Sequence, residues 1–411
     1  MRRVVVTGLG IVSPIGNTVE QAWGNAVAGA SGIRKISLFD PSNLHVQIAA
    51  EVKDFDASNA LDAKELLRTS RFCQFAAVAA KSAMEDSGLD SENSDTNLWG
   101  ASVGVGLGAL NDIEAAAINL EKRGPKKVSP FFLPYAIPNM AAGVVSKNHR
   151  LKGPNICTTT ACSSGTHAIG EAFNLITQGA ADVMVAGGAE AAISPLGITS
   201  FMNMKALSRS NDTPESASKP FDLNRNGFVM GEGCGLVVLE EYETAKKRGA
   251  KIYAEVVGYG MSGDAYHITA PAPEGEGAQR CMRSALKLAK IAPDQIDYIN
   301  AHGTSTKLND MYETAATRKV FGAHASSLSL SSTKGVTGHC LGAAGGIEGV
   351  LTALAVHHAL VPPTANYSTP DPDCDLDYTP NQARERKIVY ALSNSFGFGG
   401  TNATIIFKQI N

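Results

Sequence analysis

Asn155-Ile-Cys-Thr-Thr-Thr-Ala-Cys162-Ser-Ser-Gly-Thr-His-Ala-Ile-Gly170 sets a cysteine among very small residues, between a short β-branched run and an apolar segment of helical period. The pattern predicts a strand over 155–158, a sharp corner, and a helix over 167–178. Such a corner leaves its residue at a helix N-terminus, where unpaired N–H groups and aligned peptide dipoles favour negative charge. Ala161, Ser163, Ser164 and Gly165 keep the corner uncrowded, so Cys162 is a candidate nucleophile.

Two later segments supply what such a sulfur needs: Ala301-His302-Gly-Thr-Ser-Thr306 and Ser332-Thr-Lys334-Gly-Val-Thr-Gly-His339. Each is a glycine-containing loop read as directly following a strand, where α/β sheets collect function. Apolar β-rich runs alternate with helical periodicity almost throughout, which is the α/β signature. Strands are expected at 4–8, 98–105, 183–188 and 235–240, and helices at 19–27 and 71–86. A similar order returns later: helix 278–289, strand 298–301, helix 313–321, strand 328–331, helix 347–358, and paired strands at 388–393 and 402–407. The chain therefore reads as two fused α/β halves, 1–250 and 251–411, meeting near the charged Lys246-Lys-Arg-Gly249. The first carries Cys162; the second carries His302, Lys334, His339 and a glycine-rich Ser395–Gly400. Pro362–Asn366 and Asp371–Asp377 read as surface turns.

Bulk properties narrow the class. Charged residues make up 18% and apolar ones 44%, with 41 glycines, a balance suited to large buried sheets with tight turns rather than disorder. A net charge of −3 offers no general attraction to nucleic acid or anionic lipid. No apolar run approaches the ~20 residues of a membrane span. Met1-Arg-Arg-Val-Val-Val-Thr-Gly8 breaks after three valines and reads as a first strand, not a targeting signal. Seven scattered cysteines without a Cys-x-x-Cys pair argue against a disulfide framework or zinc site and for a reducing compartment, the cytoplasm being the simplest. Cys73, Cys157, Cys234, Cys281 and Cys340 read as small buried hydrophobes. Gly104-x-Gly-x-Gly108 lacks the spacing and the later acid of a dinucleotide loop.

With these pieces assembled, the chain resembles, nearly end to end, the class II β-ketoacyl-acyl-carrier-protein synthases, the elongating condensing enzymes of fatty-acid synthesis. The resemblance is carried by Val6–Gly16, Thr160–Gly165, Pro220-Phe-Asp, Gly227–Gly233, His302–Thr306 with Asn309-Asp310, Ser332–His339 and Asn394–Asn402. It implies the thiolase-type fold, layered αβαβα, with two halves related by a pseudo-twofold, usually as a homodimer. Lys307 stands where the family commonly has proline and Asn226 where it has aspartate, and Ser70 lies in a region that often carries an acid.

A thiol of pKa ~8.5 is mostly protonated at neutral pH, and a helix terminus shifts it by only about one unit. An imidazole must help, or the thiol must ionise as it attacks. The implied reaction is a two-stage Claisen condensation needing no cofactor. Cys162 takes an acyl group from an acyl-carrier thioester, with the N–H groups of Cys162 and Phe398 forming an oxyanion hole and the Phe398 ring gating the two stages. Malonyl carrier then loses carbon dioxide, and His302 and His339 hold the enolate. Lys334 organises the site; the family suggests Glu313 as its carboxylate partner, with Asp310 in support. Asn300, Glu348, Ser393 and Asn394 gather around a structural monovalent cation in some relatives, or simply hydrogen-bond.

The implied partner is an acidic acyl carrier protein, docking on a basic patch whose candidates are Lys64, Arg68, Arg71, Lys126, Lys127, Lys205 and Arg209. Thr269, Thr304 and Thr306 are placed to bond pantetheine amides, and Leu107 and Phe201 to line the acyl slot. Rival readings remain: a polyketide-type ketosynthase, or a non-catalytic chain-length subunit, which loses the nucleophile. A thiolase uses a second cysteine in the final glycine-rich region, where this chain has Phe398, and an initiating synthase has asparagine at the position of His339.

Overall fold

A computed structural model describes residues 2–410. Ten strands, β1 (Val4–Val12), β2 (Trp99–Gly104), β3 (Asn155–Ile156), β4 (Val183–Glu190), β5 (Gly233–Glu241), β6 (Ala254–Gly263), β7 (Tyr298–Asn300), β8 (Ser329–Ser331), β9 (Tyr390–Gly397) and β10 (Thr401–Lys408), form one continuous sheet. Its order is β8-β7-β9-β10-β6-β1-β5-β4-β2-β3. From β1 outward the pairings run antiparallel to β5, antiparallel to β4, then parallel to β2 and β3. From β6 outward they run antiparallel to β10, antiparallel to β9, then parallel to β7 and β8. The two five-stranded halves repeat one topology, joined where Val4–Val6 pairs with Ala254–Val256.

Five helices make the layers: α1 (Arg71–Ser87), α2 (Ser164–Thr177), α3 (Glu276–Ala289), α4 (Lys307–Phe321) and α5 (Ala344–His358). Helix α1 packs outside β1 and β5, and α3 outside β6 and β10; α2 and α5 lie between the two sheet halves. This is the expected αβαβα layering. Every residue of α5 from Ala344 to Val356 is buried, so it shows no polar face.

The first strand runs to Val12, well past the expected stop at Gly8. Gly8 and Gly10 do not break it; they let α1 settle against it, since a Cβ on Gly10 would lie 1.9 Å from the Ala79 carbonyl oxygen. Gly260 of β6 does the same for α3, where a Cβ would sit 2.2 Å from the Cys281 carbonyl oxygen. Helices α2, α4 and α5 each begin earlier than the apolar period suggested, α4 at Lys307 rather than Glu313. Their first turns are polar or glycine-rich and carry no hydrophobic signal. Pro362–Ala365 is buried, an interior support rather than a surface turn; Asp371–Asp377 keeps Pro372, Asp373 and Asp375 exposed as a surface turn does, though its first residue, Asp371, is buried and ion-paired to Arg225.

The innermost seam is glycine on glycine. A Cβ on Gly346 would lie 2.3 Å from Gly235 O and 2.4 Å from Gly188 N. Gly346→Ala is expected to destabilise the fold by about 1–3 kcal/mol or more through overpacking, read as a lowered denaturation midpoint; an unchanged midpoint would mean the seam can open freely.

Candidate active site

The corner forms as a 3-10 turn, Ala161–Ser163, running into α2, so Cys162 lies one turn ahead of the α-helix proper. Ala161 takes a left-handed φ of 51°, a strained setting that aims the next residue out of the turn. Leu341, ahead of α5, repeats it with φ 48°. The corner is tied to the C-terminal hairpin: Ser163 Oγ donates to Ser395 O at 3.0 Å and to Thr401 O at 2.8 Å, and Thr401 Oγ1 donates to Thr160 O at 2.9 Å. A Cβ on Gly397 would lie 2.8 Å from Thr160 O and 3.1 Å from Cys162 N, so its missing side chain lets this loop approach the corner's backbone. Phe398, next along this loop, lines the same cavity as Cys162.

Cys162, His302, His339, Phe398, Thr269, Thr304, Thr306, Leu107, Phe201 and Lys205 all line a single cavity of about 760 Å³. The two imidazoles are 5.3 Å apart between ring centroids and nearly perpendicular. Burial, then the Lys334 charge, holds both well below the ordinary histidine range, so they are neutral N–H donors. Lys334 Nζ lies 3.5 Å from His302 Nδ1. Because a lysine can only donate, Nδ1 accepts and Nε2 carries the proton.

Lys334 is buried and pairs with Glu348, not with Glu313. Glu313 instead accepts the N–H groups of His302 and Gly303, both at 2.8 Å, and holds the histidine loop by its backbone. Burial pushes both carboxyls up to about 7. Asp310 accepts Phe221 N–H at 2.8 Å and lies 3.4 Å from Arg225 Nε, while Arg225 also donates to the carbonyls of Thr306 and Lys307. His339 does not directly follow a strand. A one-turn helix, Lys334–Thr337, intervenes, and the His339 N–H donates to Val229 O at 2.7 Å.

Asn300 Oδ1, Glu348 Oε2 and Ser393 Oγ are buried without a hydrogen-bond partner among the described residues. Asn300 and Ser393 face each other in register on β7 and β9, and Asn300 Nδ2 donates to Thr352 one turn from Glu348. Asn394 differs, since its amide donates to Glu313 and accepts from Thr404.

Of the basic candidates, Lys64, Arg68, Lys126, Lys127, Lys205 and Arg209 are exposed. Arg71 is not free: it is ion-paired to buried Glu232, donates to Val52 O and packs 4.7 Å from the Phe75 ring. Cys157 is only partly buried. The departures are mild. Lys307 opens α4 and donates to Leu223 O, Asn226 donates to Ser210, and buried Ser70 caps α1 by position alone. Sequence reasoning passed over Arg225, Glu190 and Asp264; Asp264 takes the Asn402 amide at 2.6 Å and ties the 264–272 loop to the glycine-rich loop. A lone acid beside glycines, as in Gly187-Gly-Ala-Glu190, was the available signal.

The N-terminal domain of the β-ketoacyl synthase family matches residues 1–245, and its C-terminal domain matches 253–368. The chain belongs to the β-ketoacyl synthase family. This synthase is 53% identical over 409 residues to the 3-oxoacyl-[acyl-carrier-protein] synthase 2 of Coxiella burnetii, covering 100% of this chain and 99% of the relative. It is 50% identical to the protein of the same name from Synechocystis, covering 99% and 98%. Among solved structures, the type II polyketide ketosynthase AntDE bound to its acyl-carrier protein AntF superposes with a TM-score of 0.92 at 37% identity, covering 100% of both chains.

Burial pushes the Cys162 thiol up to about 12, opposed by the Lys334 charge and the Phe398 N–H. The resting sulfur is therefore a thiol, not a standing thiolate. Alkylation of the Cys162 peptide, followed by mass spectrometry, is expected to accelerate about tenfold per pH unit from pH ~7 to ~10 without levelling. A plateau near ~8.5 would reveal an ordinary thiol.

Proposed function

We propose that this synthase elongates acyl chains for fatty-acid synthesis by decarboxylative Claisen condensation with malonyl-acyl carrier protein, yielding a β-ketoacyl carrier and carbon dioxide. The observation that carries the reading is that Cys162, His302 and His339 open onto one cavity whose wall includes the Phe398 loop. The high identity to synthases named for acyl-carrier substrates favours the fatty-acid pathway over a polyketide one.

In the first stage the sulfur attacks the carrier thioester carbonyl. Its proton passes to the departing carrier thiol as the new carbon–sulfur bond forms and the old one breaks. The oxyanion sits between the N–H groups of Cys162 and Phe398. In the second stage the malonyl C–C bond breaks and its electron pair becomes the enolate. Two neutral imidazole N–H donors stabilise that oxygen without first surrendering a proton. The enolate carbon attacks the acyl-Cys162 carbonyl, and the sulfur leaves to recover a proton. Thr269, Thr304 and Thr306 line the pantetheine path; the Lys334–Glu348 pair fixes the His302 tautomer.

Two further parts belong to this reading. A monovalent cation of oxygen preference fits the unpartnered oxygens of Asn300, Glu348 and Ser393 and would satisfy them as a structural ion. A homodimer fits both the exposed Ile113, Ile118, Leu120 and Leu133 and the open edge strand β3, and sedimentation should give twice the 42.9 kDa chain mass. The exposed basic side chains dock the acidic carrier. Among the described residues no helix is long and apolar enough to cross a membrane.

Incubation with acyl carrier is expected to leave one acyl group on Cys162, detected by mass spectrometry, and Cys162→Ala should abolish it. An adduct elsewhere, or none with active carrier, would overturn the reading. His302→Ala and His339→Ala should each slow carbon dioxide release about 10²–10³-fold, as for a lost oxyanion donor. Because burial holds both imidazoles neutral well below 6.5, carbon dioxide release should show no acid limb centred at that pH; a midpoint there would mean the rings titrate normally.

A further inference from the structure

Glu190, the last residue of β4, is fully buried and has no ion-pair partner among the described residues. Its carboxyl is held by backbone alone. Oε2 accepts N–H groups from Gly106 at 3.0 Å, Leu107 at 3.0 Å and Gly342 at 3.1 Å, and Oε1 accepts those of Gly108 at 2.6 Å and Leu107 at 3.1 Å. Three consecutive N–H groups converging on one anion form a nest. It exists because its flanking residues lack side chains: a Cβ on Gly106 would lie 2.5 Å from Oε2, and Gly108 takes a φ of 65°. The bracketed residue, Leu107, is left 41% exposed on the wall of the Cys162 cavity, which Phe201 also lines. The fourth donor, Gly342, lies three residues after His339.

One buried carboxyl thus binds the cavity's apolar lip to the turn that follows a catalytic imidazole. Such a group is costly to bury unless its acceptors are all used. Burial pushes it up to about 7 while the backbone N–H groups pull the other way.

We infer that Glu190 is a positioning residue for acyl-chain selection: it pins the Gly106-Leu107-Gly108 lip against the Gly342 turn and so sets where Leu107 stands relative to an incoming acyl tail. The inference rests on the acyl-transfer reading above. Glutamine keeps the volume but offers one acceptor oxygen and turns an amide N–H₂ toward backbone donors, so Glu190→Gln frees the lip. Glu190→Asp keeps the charge on a shorter arm and gives an intermediate effect.

The test is single-turnover formation of acyl-Cys162 across carriers loaded with short to long saturated acyl groups. Glu190→Gln should change the ratio of long-chain to short-chain rates by about tenfold or more, the scale of losing charge-assisted hydrogen bonds. Combining Glu190→Asp with Leu107→Ala should be non-additive in that ratio, because both act through one side chain; this pair also decides the matter if the glutamine variant does not fold. A uniform slowing at every length, an unchanged ratio, or strict additivity would overturn the inference. Absence of any adduct in the unaltered synthase would instead overturn the acyl-transfer reading, so the two failures are distinct.

Discussion

The structure depends on a contact made without side chains. At the centre of the molecule the first turns of α2 and α5 meet each other and the middle strands through Gly165, Gly188, Gly235, Gly342 and Gly346, backbone against backbone. A methyl group at these points would meet carbonyl or amide atoms at well under van der Waals distance. This approach brings a sulfur from one half within a shared cavity of two imidazoles from the other. The left-handed residue ahead of each helix, Ala161 in one and Leu341 in the other, shows one turn used twice. In the first half it presents Cys162. In the second it presents Gly342, which gives its N–H to Glu190.

Charge is arranged behind the cavity-lining sulfur and imidazoles rather than on them. Burial holds the thiol protonated and the imidazoles neutral at rest. The buried ions stand one layer back: Lys334 with Glu348, and Arg225 with Asp310 and Asp371. Such pairs contribute little net stability once desolvation is counted, but removing one partner strands the other. Their role here is geometric. They hold loops through backbone carbonyls and N–H groups, as Arg225 does for Thr306 and Lys307 and Glu313 does for His302 and Gly303.

The legible parts of the site were those whose residue type and immediate neighbours carry the chemistry. Cys162 among small residues and His302 and His339 beside glycines could be chosen from local spacing, and Phe398 by resemblance; all four line one cavity. Partners across the sheet could not. Glu313 was matched to Lys334 by resemblance alone, whereas Glu348, on a buried helix, is the carboxylate the fold delivers. Arg71 looked like any exposed cation, yet Glu232, just ahead of β5 and distant along the chain, occupies it. Glu190 offered only the weak signal of an acid beside glycines, because its ligands are backbone amides and leave no side-chain signature.

The α/β alternation, the repeated half, the Cys162 corner and the family could all be read along the chain, since they follow from periodicity, turn residues and local chemistry. Which buried charges pair, where glycine-lined helices and strands touch, and that Pro362–Ala365 becomes an interior support emerge only once the chain is folded. Those outcomes turn on contacts between residues distant along the chain, with energies set by desolvation and close packing, and neither is encoded at any one position.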